Sequence, residues 1–318
     1  MMQRILIVKT SSLGDVIHGL PVASDVRQHF PEARIDWIVE EPYAPLVALH
    51  PAVRQVIPVA LRRWRRRLLI PDTWGEIREF MRRVGTETYD AIIDTQGLLK
   101  SAAVSLAARG KRHGFDAGTV RERLAASFYD FTYSVARSQH AVARNRELAA
   151  QALGYRVVDD VDYGIRAPAL QAAPGRRYCV FLHMTSRRDK LWPETAWCEL
   201  GRMLTLRGFE CVLPWGNDEE KRRSERISRG LPDARIPPFE PVDRLAALLG
   251  GAAAVVGVDT GLTHLAGALG RPVTAIYCNS DPRLTGVYGA PRARNLGGPG
   301  AVPSADEVLQ ALASVGIS

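Results

Sequence analysis

AAVVGVDTGLTHLAGALGRP, residues 253–272, is the stretch that decides how this chain folds. A short apolar run at 253–258 stops at Asp259-Thr260-Gly261, and the apolar spacing of a helix follows. The pattern reads as a buried strand, a tight turn and a helix start, which is the joint of a parallel α/β sheet. The turn side chains are small or helix-capping. They leave the first backbone N–H groups of the helix pointing outward with partial positive charge, a seat suited to phosphate. Asp259 or Thr260 can equally do no more than cap the helix. A second joint of the same kind near the N-terminus favours a ligand.

Working outward, strands are predicted at 178–183, 210–214 and 273–277, with helices at 195–207, 218–229, 242–249, 263–269 and 304–315. The first half alternates in the same way. Its strands fall at 4–9, 35–39, 53–59, 91–95 and 112–115, and its helices at 16–30, 74–84, 100–109 and 140–153. Between the halves lies GIRAPALQAAPGRR, residues 164–177, with the composition of a linker. The expected fold class is α/β: two Rossmann-like doubly wound domains facing across a cleft, 1–163 and 164–318. The last helix, about 304–318, is free by sequence to pack back on the first domain. Ligands in such sheets bind at the carboxyl ends of strands, so each domain should take one substrate.

Composition narrows the classes. A chain of 318 residues suits about two domains. It is 46% apolar and 24% charged, the profile of a globular protein, and no apolar run reaches the length of a membrane span. The opening MMQRILIVKTSSLGD starts a strand and meets charge too early for a secretion signal, so a cytoplasmic location is expected. Cys179, Cys198, Cys211 and Cys278 show no CxxC spacing, which favours buried thiols over disulfides or a metal site. The net charge of +8 divides evenly between the halves, but Arg62-Arg63-Trp64-Arg65-Arg66-Arg67 concentrates five guanidiniums. This run is either a solvated loop or a site for phosphates, carboxylates or an anionic membrane surface. Nucleic acid is disfavoured, because the basic and aromatic interleaving does not continue elsewhere.

Four segments carry candidate chemistry. KTSSLGDVIH, residues 9–18, follows the first strand without a GxGxxG fingerprint. It delivers Asp15 to a helix start, either as a cap or as a carboxylate able to act as general base. His18 reads as a packing residue. HMTSRRDKLWP, residues 183–193, offers Thr185, Ser186 and Lys190 to a diphosphate, unless it is an ordinary polar loop. The 259–264 turn is the third. The fourth, LPWGNDEE at 213–220, ends in Glu220, which either accepts from ribose hydroxyls or favours a helix N-terminus. Asp159-Asp160-Val161-Asp162 reads as a solvated turn. No His/Cys metal cluster and no GxxxxGK[ST] phosphate loop is visible.

KTSSLGDVIHGLP, HMTSRRDKLWP, LPWGN and VDTGLTHLAGALGRP together resemble the bacterial heptosyltransferases, glycosyltransferase family 9, over essentially the whole chain. The resemblance implies the GT-B fold and transfer of L-glycero-D-manno-heptose from its ADP-activated form. RRWRRR and SLGDVIHGLP favour the member acting on the first Kdo of Kdo2-lipid A over heptosyltransferase II. It further implies Asp15 as catalytic base. Thr185, Ser186, Lys190, Asp259, Thr260, Gly261 and His264 fall at donor-binding positions, with Glu220 as a ribose-binding acid. Arg62, Arg66 and Arg121 or Arg123 fall at acceptor-binding positions. Phe239 is a candidate adenine contact. A membrane-held, acidic acceptor implies peripheral contact with the inner membrane. No cofactor is required, with Mg²⁺ admitted on the donor diphosphate. Two rivals from other classes are an NAD-dependent oxidoreductase, opposed by the missing GxGxxG, and a non-catalytic module binding acidic lipids.

Overall fold

The computed structural model describes residues 4–166 and 177–317. The chain divides into two units, Met1–Ile165 and Arg166–Ser318. Residues 167–176 of the expected linker lie outside the described residues.

In the first unit the strands are β1 (Arg4–Val8), β2 (Arg34–Glu40), β3 (Val53–Val59), β4 (Thr88–Asp94), β5 (Arg109–Phe115) and β6 (Phe131–Tyr133). The helices are α1 (Leu13–His29), α2 (Ala44–Val47), α3 (Leu61–Arg66), α4 (Pro71–Val84), α5 (Leu99–Ser105) and α6 (Ala141–Leu153). All strand pairs are parallel, in the order β3-β2-β1-β4-β5-β6. The central strand reads ILIV without alternation because helices cover both faces of a parallel sheet, and Ile5, Leu6, Ile7 and Val8 are fully buried. Leu6, Val8, Ile38, Ile57, Trp64, Phe80 and Val84 form one core face. Strand order reverses between β1 and β4, so the loops leaving those strands lie side by side, where doubly wound sheets bind ligands.

The second unit repeats the plan. Its strands are β7 (Arg177–Leu182), β8 (Phe209–Val212), β9 (Ala234–Arg235), β10 (Ala254–Val258), β11 (Val273–Tyr277) and β12 (Ala293–Gly297). Its helices are α7 (Glu194–Thr205), α8 (Asp218–Ser228), α9 (Val242–Gly251), α10 (Gly261–Ala268), α11 (Pro282–Thr285) and α12 (Ala305–Ser314). The sheet is again parallel, in the order β12-β11-β10-β7-β8-β9. The reversal falls between β7 and β10, which brings the 183–193 loop against the 259–264 turn. The doubly wound α/β expectation therefore holds for each unit.

Three differences from the sequence reading have physical causes. The edge strands β6, β9 and β12 were not expected; their side chains are mostly exposed, so no apolar run marks them. The arginine run is a short helix, α3, rather than a loop. Trp64 buries in the core and its indole N–H donates to Glu76 Oε2 at 2.7 Å, while Arg63 pairs with Glu41 and Glu76. The last helix, free by sequence to return to the first unit, packs in the second unit's own core through Ala305, Val308 and Leu312. No described helix is long and apolar enough to cross a membrane. All four cysteines are free, three of them buried.

Candidate active site

In the first unit, β1 runs straight into Lys9, whose ammonium is buried. It donates to the Thr95 carbonyl at 2.7 Å and to Asn145 Oδ1 at 3.2 Å. Burial brings this amine down to about 7, against the opposing pull of Asp15. The loop that follows is shaped by Gln96 at the end of β4. Its Oε1 accepts from Thr10 N and Oγ1 and from Ser11 N, and its Nε2 donates to the Ser11 carbonyl at 2.7 Å. The loop is thereby fixed by a side chain acting as a surrogate strand.

Asp15 occupies the third position of α1, and its carboxylate accepts from the N–H and hydroxyl of the N-cap Ser12, both at 3.1 Å. It is a helix cap, as one reading of the sequence had it. It is also ion-paired: Arg121 Nη2 reaches Oδ1 at 2.5 Å and Nη1 reaches Oδ2 at 3.4 Å. Burial pushes this carboxyl up, but the charges of Lys9 and Arg121 and the hydrogen bonds from Arg121 and Ser12 outweigh it. The group is held well below the usual carboxylate range. Lys100 adds a further cation, donating to Ser11 Oγ at 2.8 Å. His18 is buried edge-on to His140, a packing role.

The remaining arginines divide. Arg62 and Arg66 line a cavity of about 780 Å³ together with Arg65, Lys100 and Glu40 on its polar side and apolar side chains of α3, α4 and α5 on the other. Arg62 also lies over the Tyr43 ring at 5.9 Å. Arg123, exposed at the start of a 3₁₀ turn (Arg123–Phe128), does not line this cavity.

In the second unit, Asp259 leaves β10 and gathers its neighbours. Lys190 Nζ and Ser280 Oγ each donate to Oδ2 at 2.7 Å, and His264 Nε2 stands 3.5 Å from Oδ1. The Thr185 hydroxyl donates to the Asp259 carbonyl at 2.8 Å. Burial works against ionisation of this carboxyl, and the hydrogen bonds from His264, Lys190 and Ser280 overcome it, so it too is held well below the usual range. Both carboxylate oxygens face donors and a cation, an arrangement that positions Lys190 rather than one that offers an acid to a phosphate. Thr260 is the N-cap of α10 and makes no side-chain cap bond, and Gly261 opens the helix. Thr263 turns back to the Val258 carbonyl at 2.7 Å, close against Gly257. A Cβ on Gly257 would collide with its hydroxyl. Ser186 is exposed on the 183–190 loop.

Glu220 caps its own helix. Its Oε2 accepts from Gly216 N at 2.7 Å and its Oε1 from Asn217 Nδ2 at 3.0 Å, while its N–H returns to Asn217 Oδ1. Phe239 is exposed beside Trp215, ring centroids 5.8 Å apart. In the acidic run, the Asp160 carbonyl accepts from Arg146 and Asp162 caps the Gly164 N–H, so these residues hold a turn. Among the described residues no cluster of three His, Cys, Asp or Glu side chains is placed to hold a metal ion.

Sequence reasoning did not assign Lys9, Gln96, Lys100 or Ser280. Gln96 and Lys100 follow β4 in TQGLLK and become readable only once β4 is known to lie beside β1. Ser280 follows β11 in CNS, with no local pattern to mark it.

The heptosyltransferase model of glycosyltransferase family 9 matches residues 77–307. Lipopolysaccharide heptosyltransferase 1 of Escherichia coli K12 is 45% identical over 290 residues, covering 90% of this chain and 91% of its own. Lipopolysaccharide heptosyltransferase 2 of the same organism is 23% identical over 308 residues, covering 89% and 84%. The structure of Escherichia coli heptosyltransferase WaaC with ADP superposes with a TM-score of 0.91 at 41% identity, covering 98% of this chain and 100% of that one. The same enzyme with ADP-2-deoxy-2-fluoro heptose gives 0.86 at 40% identity, covering 98% and 99%. With this degree of likeness along nearly its full length, the chain belongs to glycosyltransferase family 9, the heptosyltransferases.

Proposed function

We propose that this glycosyltransferase moves L-glycero-D-manno-heptose from ADP-heptose to the first Kdo of Kdo2-lipid A, in lipopolysaccharide inner-core synthesis. The observation that carries the reading is the Asp259 cluster: a buried acid holds Lys190 beside the first turn of α10, at the strand reversal of a sheet built to take a nucleotide. Its likeness to lipopolysaccharide heptosyltransferase 1, twice as high as to heptosyltransferase 2, supports Kdo over heptose as acceptor.

In this scheme the donor diphosphate lies against the α10 N-terminus and Lys190, with Thr185 and Ser186 alongside. The leaving ADP gains negative charge as the glycosidic bond breaks. A fixed ammonium and fixed N–H donors stabilise that charge more in the transition state than in the ground state, and this lowers the barrier. Asp15 takes the proton from the acceptor hydroxyl as it attacks the anomeric carbon from the opposite face, a single displacement with inversion.

Arg121 has two duties in this chemistry. Paired with Asp15, it keeps the carboxylate ionised but a weak base. An acceptor bearing carboxylates and phosphates draws the guanidinium away and leaves Asp15 Oδ1 for the hydroxyl. Arg62 and Arg66 bind other anionic groups of the same acceptor, at the cytoplasmic face of the inner membrane. Lys190 and the helix terminus supply the positive charge here. Any Mg²⁺ would be carried on the donor's own phosphates, and transfer that persists in a chelator is the expected result.

The test is a transfer assay with ADP-heptose against two acceptors, one lacking heptose and one already carrying it. Transfer to the first alone is expected; transfer only to the second assigns the heptosyltransferase 2 reaction instead.

A further inference from the structure

The turn from α3 into α4 adjoins the cavity lined by Arg62 and Arg66, and it carries the most exposed apolar surface of the first unit. Leu69 is 99% exposed, and Leu68, Ile70 and Trp74 are 46%, 43% and 48% exposed. They are contiguous in space as well as in sequence: the Trp74 indole N–H donates to the Leu68 carbonyl at 2.9 Å, and Ile70 N donates to the Arg67 carbonyl at 3.0 Å. The turn is therefore prefolded, and these backbone groups are already paired. That matters for entry into a lipid headgroup layer, where unpaired backbone groups are costly.

Directly before this tip stand Arg65, Arg66 and Arg67. Among the described residues none of the three has a carboxylate within ion-pair distance, whereas Arg63 takes up Glu41 and Glu76. Apolar surface continues behind the tip in the cavity walled by Trp64, Ile77, Phe80 and Met81, with Arg65 and Arg66 on its rim. A patch of large apolar side chains bordered by unpaired guanidiniums is costly in bulk water. It matches an anionic bilayer, in which leucine and tryptophan enter the headgroup–acyl boundary and the arginines stay at the phosphates.

We propose that the α3–α4 turn, with Leu68, Leu69, Ile70 and Trp74 as its tip and Arg65 and Arg67 as its charged collar, is a wedge that seats the first unit on an anionic phospholipid surface. The proposal rests on the reading of a membrane-held acceptor for its purpose, but not for its chemistry. Docking would confine the search for acceptor to the plane of the membrane. The apolar tip supplies the hold, and the collar selects anionic over neutral lipid.

The experiment is co-sedimentation of the full chain with vesicles of phosphatidylcholine alone and of phosphatidylcholine with phosphatidylglycerol, at low and high salt. Binding to the mixed vesicles only, weakened by salt, is expected. Leu69→Glu and Arg65→Glu should each lower the partition coefficient about tenfold or more. Heptose transfer to a water-soluble, deacylated acceptor serves as the control for folding, and Leu69→Glu should leave it unchanged. Equal binding to both vesicle types, no binding to either, or Leu69→Glu binding as tightly as the wild type overturns the wedge. Loss of transfer to the soluble acceptor in the wild-type protein would instead overturn the enzymatic reading and leave the wedge standing.

Discussion

Replacing Lys190 by alanine probes the second unit's site at its centre. The ammonium lies 2.7 Å from Asp259 Oδ2 and is half-buried, while Asp259 is buried. For a donor diphosphate arriving here, the lysine performs two tasks: it attracts the phosphate and it cancels the acid behind it. One charge pair at about 4 Å in a medium of effective dielectric about 20 is worth about 4 kcal/mol. Solvent at the open side of the lysine reduces this to about 1.5–3 kcal/mol, the range of a charged hydrogen bond. That loss alone weakens ADP binding about 10- to 150-fold. Lys190→Ala also uncovers Asp259, and the repulsion places the result at the upper end of that range. Asp259→Asn should cost less, because an amide oxygen still accepts from Ser280 and Lys190 keeps its charge. The double variant should therefore bind ADP more tightly than Lys190→Ala alone, since no uncancelled acid remains. Calorimetric titration with ADP at low ionic strength measures all four proteins, and their melting temperatures confirm that each is folded. ADP affinity unaffected in Lys190→Ala, or a double variant no better than the single, would refute the cluster's role as a phosphate seat.

Three further outcomes are expected. Asp15→Asn keeps a side chain able to accept from Ser12 but cannot take a proton; transfer should slow by about 10²–10⁴-fold with ADP affinity unchanged, and near-normal turnover removes Asp15 from the reaction. Arg121→Ala frees Asp15 from the pairing that lowers it, so the acid limb of kcat/KM against pH should move to higher pH while the acceptor KM rises; an unmoved limb shows that the pairing does not set the base. His183 is buried against Trp197 and bonded to Ser224, and burial, then the charge of Arg223, holds its imidazole down to about 3. As pH falls below about 6.5 the unfolded chain takes up a proton that the folded chain refuses, so stability drops by up to about 1.4 kcal/mol per pH unit between about 6.5 and 3. Urea midpoints across that window should show the slope, and His183→Gln should flatten it.

The central parts of both sheets are legible in the sequence because their strands are short, continuous apolar runs between breakers. The predicted bounds 53–59 and 273–277 coincide with β3 and β11. The edges are not legible in this way: β6 reads FTY and β9 reads AR, and backbone pairing to a neighbour makes them strands, not composition. The same division runs through the candidate site. Asp15 and Asp259 could be singled out because each follows a central apolar strand, and Lys190 because it is a cation in the hydroxyl-bearing loop that leaves β7. Partners from a distant part of the chain could not. That Arg121 grips Asp15 follows from a loop 106 residues away in the chain, and that Ser280 completes the Asp259 cluster follows from β11 lying next to β10. The arginine run misled for a related reason. Its five charges suggest a solvated loop, and only the partnership of Trp64 and Arg63 with Glu76 on α4 turns it into a packed helix.

Asp15 and Asp259 look alike in sequence, each an acid after a central strand and beside a helix start, but their surroundings prepare them for opposite tasks. Asp259 is held from three sides, by Lys190, Ser280 and His264, and it is buried. To release any one partner leaves the others in place, so the carboxylate cannot be made basic without dismantling the cluster. Its value is rigidity: it fixes where a cation points. Asp15 depends on Arg121, a half-exposed side chain whose guanidinium can exchange one carboxylate for another at little cost, and on a Ser12 cap that any acceptor of N–H bonds at this position retains. Lys9 beneath it is buried and does not leave. The removable part of Asp15's environment is therefore the part that faces solvent and would meet an anionic acceptor. A base that must stay ionised while idle and become basic on demand needs a lowering partner that can leave. Arg121 is such a partner for Asp15, whereas Asp259 keeps two donors whichever one of Lys190, Ser280 and His264 is drawn off. This contrast, rather than the presence of an acid at a helix start, distinguishes the two carboxylates and supports Asp15 over Asp259 for the proposed proton transfer.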